Sequence, residues 1–421
     1  MSTRSARSQS GTLAAIVLSV LAPFALGFFL SYLFRAVNAV VGPNLVADLG
    51  LSAAALGLLT SAYLFAFALF QLPLGVLLDR FGPRRVQAAL LACAAAGSVL
   101  FAIGQDIVTL TLARALIGLG FAGGLMSGFK AVVLWVPEPR RALANAAIMS
   151  FGALGILVAT VPTELAVQAV GWRAVFVGLA AITFAVAALI FLAVPEQGMT
   201  AGAERLADQI GSLLRILRDR VFWRLAPLLA TTAGTHIAIQ TLWAGPWFRD
   251  VAGLDRIGVA NHLMAMAVAF LIGILLSGAV ADWFVRRGVD LLTVMLGFLA
   301  LFLLSELAIV LQWTALNLAI WVVFGMTGQV AVLAYPWLSS YFGAALSGRA
   351  TTAMNLILFL TAFGAQYAIG AIIDLFPTTA SGGYAPAGYQ AGFGVFLAAQ
   401  ILALIWFLLG RRALLHGGAP A

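Results

Sequence analysis

The feature that most constrains this chain is a run of about 20 nearly uncharged residues, repeated along its whole length. Each run is long enough to cross a hydrocarbon layer roughly 30 Å thick as an α-helix. Reading apolar runs between polar breaks places spans near 13–41, 53–78, 86–105, 108–134, 142–168 and 173–194. A second set follows near 224–248, 258–281, 290–311, 315–340, 350–374 and 389–410. The runs do not alternate apolar with polar, which excludes a β-barrel pore. With 63% hydrophobic and 9% charged residues, no water-soluble fold could cover the apolar surface, so the lipid bilayer is a necessary partner.

Charge position carries more information than the net +8. Of 23 basic residues, 17 fall in segments on one side, three (Arg173, Arg249, Arg256) in loops on the other, and three (Arg35, Arg114, Lys130) within spans. That asymmetry is the positive-inside pattern and predicts both termini in the cytoplasm, so the basic pI does not indicate a nucleic-acid partner. Arg4 and Arg7 precede the first apolar run with no small-residue cleavage site, so that run is expected to be retained as a helix. Cys93 is the single cysteine, which leaves no disulfide framework.

The longest polar stretch, PEQGMTAGAERLADQIGSLLRILRDR, carries Arg205, Arg215, Arg218 and Arg220 and divides the chain six spans to six. Its pattern suits a short amphipathic surface helix. Gly75 and Asp79 recur 203 residues later as Gly278 and Asp282, and the pair Arg84 and Arg85 recurs as Arg286 and Arg287. Such duplication in a membrane protein points to a transporter with its site between two repeats. The expected fold is therefore all-α: twelve transmembrane helices in two pseudo-symmetric six-helix bundles, 1–195 and 223–421, joined by a cytoplasmic linker at 196–222.

The segment GVLLDRFGPRR, Gly75 to Arg85, resembles the signature loop of the major facilitator superfamily, with Pro83 at a position usually basic. Arg114 followed by Gly118 and Gly120 is similar to the family's fourth-helix pattern, and GWR at Gly171 to Arg173 to its entry into the sixth helix. The resemblance implies a secondary transporter and not an enzyme. It also implies that Gly75, Asp79, Gly82, Arg84 and Arg85, with Asp282 in the degenerate copy, latch the cytoplasmic side of the two halves. In that role Asp79 faces the N-terminal end of a neighbouring helix and pairs with loop arginines. Gly82 supplies a tight turn.

Polar residues tolerated inside apolar spans mark the expected binding site, because an ionisable side chain at mid-membrane costs at least about 2.5 kcal/mol on insertion scales. Ser31, Arg35 and Asn38 share one face of the first span with Gly42. The equivalent seventh span carries His236, Gln240, Trp243 and Trp247 at spacings of four, three and four. These faces are expected to form opposing walls of a wet cavity in which Arg35, Asn38, Arg114, His236, Gln240 and Trp243 contact substrate. Guanidinium groups stay charged, which favours an anionic or carboxylate-bearing solute. Each arginine could instead hold helices together through carbonyls, and the resemblance tilts Arg114 toward conformational coupling.

His236 is the proton-carrier candidate, since imidazole titrates near neutrality, with hydrogen bonding to substrate an equal alternative. Glu164, Glu306 and Asp374 fall toward the outer ends of their spans, where water is expected to reach them. Lys130, near the cytoplasmic end of the fourth span, either snorkels to the interface or lines an inward-facing cavity. The fifth span lacks the Gly-Pro pair of drug antiporters of the superfamily, which favours uptake over efflux. Nitrate carriers of the superfamily use arginines in the second and eighth helices, and neither span has one here. A non-transporting sensor is the other class considered, and both tails are short for it. His262 and Met266 supply only two soft-metal ligands, and no P-loop occurs, so neither a metal nor another cofactor is expected. The expected partners are a small-molecule substrate and, in a symporter, protons; the expected state is a monomer.

Overall fold

The computed structural model describes residues 17–196, 206–379 and 382–416. The terminal arginines Arg4 and Arg7, the linker's Arg205 and the sidedness of the two chain ends therefore lie outside the described residues. Fifteen α-helices follow in order: α1 Ala22–Ala36, α2 Asn38–Leu49, α3 Ala53–Ile103, α4 Ile107–Phe121, α5 Gly124–Trp135, α6 Arg141–Val158, α7 Val161–Ala193 and α8 Leu206–Leu217. The second set is α9 Phe222–Ala238, α10 Ala244–Asp250, α11 Arg256–Val285, α12 Leu291–Val310, α13 Asn317–Thr327, α14 Tyr335–Ile373 and α15 Pro386–His416.

Among the described residues nine helices are long and apolar enough to cross a membrane. One of them, α3, has 51 residues and would be about 77 Å long if straight, so it must fold back. It does so at Gly82 (φ 74°, ψ 162°), which separates spans two and three. Span seven is α9 and α10 joined by a π-helical turn at Ile239–Trp243, and span ten is α13 continued by a 3-10 turn at Val330–Ala334. Those three additions to the nine give the expected twelve crossings. The first crossing runs further than the apolar pattern suggests, continuing through α2 to Leu49. Kinks like that at Gly82 occur at Gly171 (φ 79°, ψ 157°) in α7 and Gly343 (φ 71°, ψ 169°) in α14.

The polar breaks in the sequence work as helix caps. The side chains of Ser52, Asp106, Asp255 and Asp290 accept from the backbone N–H groups of Ala55, Thr109, Gly258 and Thr293, satisfying donors that a helix start would leave unpaired. Asp106 also accepts from the Thr109 hydroxyl at 2.6 Å, and these bonds hold its carboxyl below the ordinary carboxylate range. Between spans, small residues allow backbones to touch: a Cβ on Gly118 would lie 2.1 Å from the Tyr63 carbonyl oxygen, and one on Gly155 would lie 2.2 Å from that of Phe29.

The linker helix α8 is amphipathic as expected. Leu213 and Ile216 are buried against the bundles, and Arg349 of α14 donates to Ser212 Oγ at 2.7 Å.

Only glycine readily occupies φ near +75° with ψ near 160°, so Gly82→Ala should cost about 1–3 kcal/mol. Gly178→Ala, in open space at an ordinary helical φ, should be neutral or slightly stabilising. Thermal unfolding of the two purified variants checks the contrast, and equal midpoints would refute the assigned strain.

Candidate functional site

Four crossings are interrupted at mid-depth, and the interruptions face one another. Span one breaks at Val37 between α1 and α2, span four at Ala122–Gly123 between α4 and α5, span seven at the π turn, and span ten at the 3-10 turn. Irregular backbone at membrane depth is tolerated only where protein or a water-filled cavity satisfies its polar groups. Here it surrounds a central cavity of about 270 Å³. From spans one to six come Ser31, Tyr32, Arg35, Phe67 and Gln71. From spans seven to twelve come Gln240, Thr241, Gln329, Tyr335, Asn355 and Phe359.

Arg35 is the one charged residue in this lining. Its guanidinium lies over the rings of Tyr32, Phe67 and Phe359, at 4.7, 5.0 and 5.1 Å. Phe67 and Phe359 touch each other at 4.5 Å between ring centroids, so the cation sits where the two halves meet. Its Nε is buried without a partner, as is Nε2 of Gln240 across the cavity. The other amides are partly committed: Gln71 Nε2 donates to the Ala122 carbonyl at 3.0 Å, and the Tyr335 hydroxyl donates to Asn355 Oδ1 at 2.6 Å. The site thus offers one cation, several amides and hydroxyls, and aromatic walls.

Of the six expected contacts, the cavity brings together Arg35 and Gln240. The rest fall behind its walls. Arg114 is fully buried within the first half, donating to the Phe34 carbonyl at 3.3 Å and to Asn38 Oδ1, with Phe101 and Phe176 rings 4.4 and 5.2 Å away. Asn38 is consumed by that contact. Trp243 is buried and donates its indole N–H to the Gln366 carbonyl at 2.9 Å.

His236 corrects the expectation most clearly. Its ring stacks on Phe270 at 5.9 Å and packs against Phe324 and Phe302 at 5.1 and 6.0 Å, with neither nitrogen hydrogen-bonded. Phe270, not His236, faces the cavity. The lining face of span seven runs through Ala233, Ile237 and Thr241, with Gln240 at its edge, and His236 lies one position off it. The lining residues Gln71, Gln329, Tyr335 and Asn355 gave no sequence signal beyond being polar within apolar runs.

The acids also differ from expectation. Glu306 is fully buried, accepting two bonds from Gln400 Nε2 at 2.9 and 3.0 Å, and water does not reach it. Glu164 is buried too, and it forms an ion pair at 3.0 Å with Arg256 of the other half. Asp374 is exposed, and accepts from the N–H groups of Ala53 and Ala54 at 2.8 and 2.9 Å. A carboxylate at the end of span eleven therefore caps the start of span two. Arg256 adds a 2.7 Å bond to Asn44 Oδ1. Beside these contacts a Cβ on Gly245 would lie 2.2 Å from the Ala39 carbonyl oxygen, and one on Gly370 would lie 2.4 Å from that of Ala53. This face of the molecule, the Gly50 face, is closed by direct contact between halves.

Toward the opposite, Gly82 face, the central cavity adjoins a second cavity of about 270 Å³, and both include Gln71 and Met126. The second cavity is lined by Gly75, Asp79, Lys130, Arg349 and the linker's Ile210 and Leu213. The loop motif makes contacts inside the first half. Asp79 pairs with Lys130, not with the loop arginines. Arg84 donates to the Phe191 carbonyl at 2.7 Å, and Arg85 pairs with Glu196. Asp282 is exposed, and Arg287 lies 3.5 Å over the Trp283 ring.

The sequence model of the Major Facilitator Superfamily matches residues 24–366. The chain belongs to that superfamily. Among its relatives is the "Probable sulfoacetate transporter SauU" of Cupriavidus necator, 24% identical, with 64% of this chain and 65% of that protein covered. Another is the "Probable galactarate/D-glucarate transporter GudP" of Bacillus subtilis, at 27% with 62% and 63% covered. A third is the "Probable L-galactonate transporter" of Escherichia coli, at 25% with 62% and 60% covered. The chain thus spans a little under two thirds of these relatives' lengths. The fold matches a bacterial Spinster homologue in its inward-facing and occupied conformation, with a TM-score of 0.76 at 18% identity over 95% of this chain and 98% of that one. A D-xylose-proton symporter matches at 0.71 and 16%, over 96% and 98%. Family and fold are those of membrane transporters, not enzymes.

If the Asp374 cap holds the Gly50 face shut, Asp374→Ala should shift the superfamily's access equilibrium by about 1 kcal/mol, the usual worth of an N-cap. In a Cys93→Ala background with the buried Val40→Cys as reporter, labelling by a membrane-impermeant maleimide should rise about fivefold. An unchanged rate would refute the role.

Proposed function

We propose that this protein is a secondary carrier that takes up a small organic anion by alternating access. The two bundles, 1–195 and 223–421, rock about the central cavity with 196–222 as their tether, and one copy of the chain suffices. The observation that supports this reading is the cavity itself: a lone guanidinium at the junction of the halves, opposite an unpartnered amide, within reach of further amides and hydroxyls. Arg35 would take the solute's carboxylate or sulfonate by charge-assisted bonds. Gln71, Gln240, Gln329 and Asn355 would order a hydroxylated body. The compounds for which those relatives are named, sulfoacetate, galactarate, glucarate and galactonate, are acids of that chemistry.

In this reading the membrane is a bacterial inner membrane and the Gly82 face is cytoplasmic, as the positive-inside pattern favours. The structure is then the inward-open state, closed outside by Arg256, Glu164 and Asp374. In the outward-open state the Gly82 face must close, and Asp79, now paired with Lys130, would swing to the other half as the latch, with Gly75 and Gly82 permitting the approach. Coupling needs the solute to bind the two states unequally, because equal binding shifts nothing.

Purified protein should be thermally stabilised by D-galactonate, galactarate or sulfoacetate, and Arg35→Gln should weaken that binding by about ten- to a hundredfold, the cost of losing a charged hydrogen-bond partner. A variant that binds as tightly as the parent would overturn the assignment of Arg35. For the latch, Asp79→Asn should insert normally yet lose most proteoliposome uptake. Full uptake would refute that role.

A further inference from the structure

From the charge inventory around the central cavity we infer that this carrier is an obligate anion exchanger: it returns across the membrane only when an anion occupies Arg35. The inference rests on the reading of the cavity as an anion site.

Two guanidiniums lie at the depth of the broken helices, Arg35 in the cavity and Arg114 behind its wall. Neither forms an ion pair among the described residues, and their partners are all neutral: aromatic rings, the Tyr63 hydroxyl, a carbonyl and the Asn38 amide. The acids that could have neutralised them are engaged elsewhere. Asp79 pairs with Lys130, Glu164 with Arg256, and Glu306 is held by Gln400 between spans nine and twelve. The described cavity lining contains no Asp, Glu or His. A guanidinium cannot shed its proton to become neutral.

In the open state this is tolerable, because water entering from the Gly82 face solvates Arg35. To change access, the halves must close over the cavity and expel that water. An empty cavity then leaves a dry, unneutralised cation, whereas an anion on Arg35 makes the occluded state close to neutral. The bound anion lowers the barrier in both directions, so the carrier that has delivered one anion waits for another before it resets. For anions of equal valence each cycle moves no net charge, which lets the inward step proceed against an inside-negative potential that would oppose uptake of an anion alone.

The test uses full-length protein in liposomes. Efflux of preloaded radiolabelled D-galactonate, and separately of sulfoacetate, is measured into anion-free zwitterionic buffer and into buffer containing the same compound unlabelled. Exchange should exceed net efflux by about 100-fold, the factor that ~2.7 kcal/mol of unneutralised charge corresponds to at 1.36 kcal/mol per tenfold. Equal rates would overturn exchange and leave the anion site standing. Absence of flux with either probe would count against the solute reading, and a substrate-free arm then decides exchange. With the buried Val40→Cys in Cys93→Ala protein and no permeant anion present, Arg35→Ala should accelerate maleimide labelling from the Gly50 face, since the charge that blocks resetting is gone. An unaccelerated Arg35→Ala, with parent-like folding by size-exclusion chromatography, would overturn the proposal.

Discussion

A cation that cannot lose its proton, held at the middle of a bilayer with no carboxylate beside it, is the constraint on which the rest of this structure depends. A charge there is tolerable only beside water, a counter-ion or polarisable rings. Arg35 has rings on three sides and lines the central cavity, which adjoins the second cavity toward the Gly82 face. Arg114 has only neutral partners and is wholly enclosed. Two cations at one depth make the center of the molecule electropositive.

The backbone is arranged around that center. Helices that carried lipid-facing surface alone could run unbroken, and α12 does so over 20 residues. Four of the crossings that meet at the cavity, spans one, four, seven and ten, are interrupted there, while spans two, five, eight and eleven reach it as continuous helix. The same economy governs access. On the Gly50 face a span-eleven carboxylate caps the first residues of span two, while the signature carboxylate at the other end of span two stands on the opposite face beside Lys130. Span two thus meets a carboxylate contact at each of its ends, one on each face of the molecule. Small residues at Gly245 and Gly370 allow the closed face to come to backbone contact, where larger side chains would hold it ajar.

Much of this was legible beforehand, and for a definite reason. Apolar runs, the duplicated Gly75–Arg85 pattern and the sequence around Arg114 are local in the chain, so crossings, family and the place of Arg35 within a crossing follow from one dimension. His236 shows where that ends. Its spacing from Gln240 is helical, but the lining face is set by Ala233, Ile237 and Thr241, and the imidazole beside that face packs among Phe270, Phe302 and Phe324. Glu306 is similar: near a span end by residue count, it is buried because Gln400, 94 residues on, lies against it.

The sequence by itself determined how many times the chain crosses the membrane, where its cations lie along those crossings and which superfamily it joins, since each follows from hydrophobicity and charge read residue by residue. Tertiary structure alone decided which polar groups share a cavity, which acids are consumed in ion pairs and which face is shut. Those outcomes depend on helix rotation and on contacts between residues hundreds of positions apart, such as Asp374 with Ala53, whose distance no local pattern encodes.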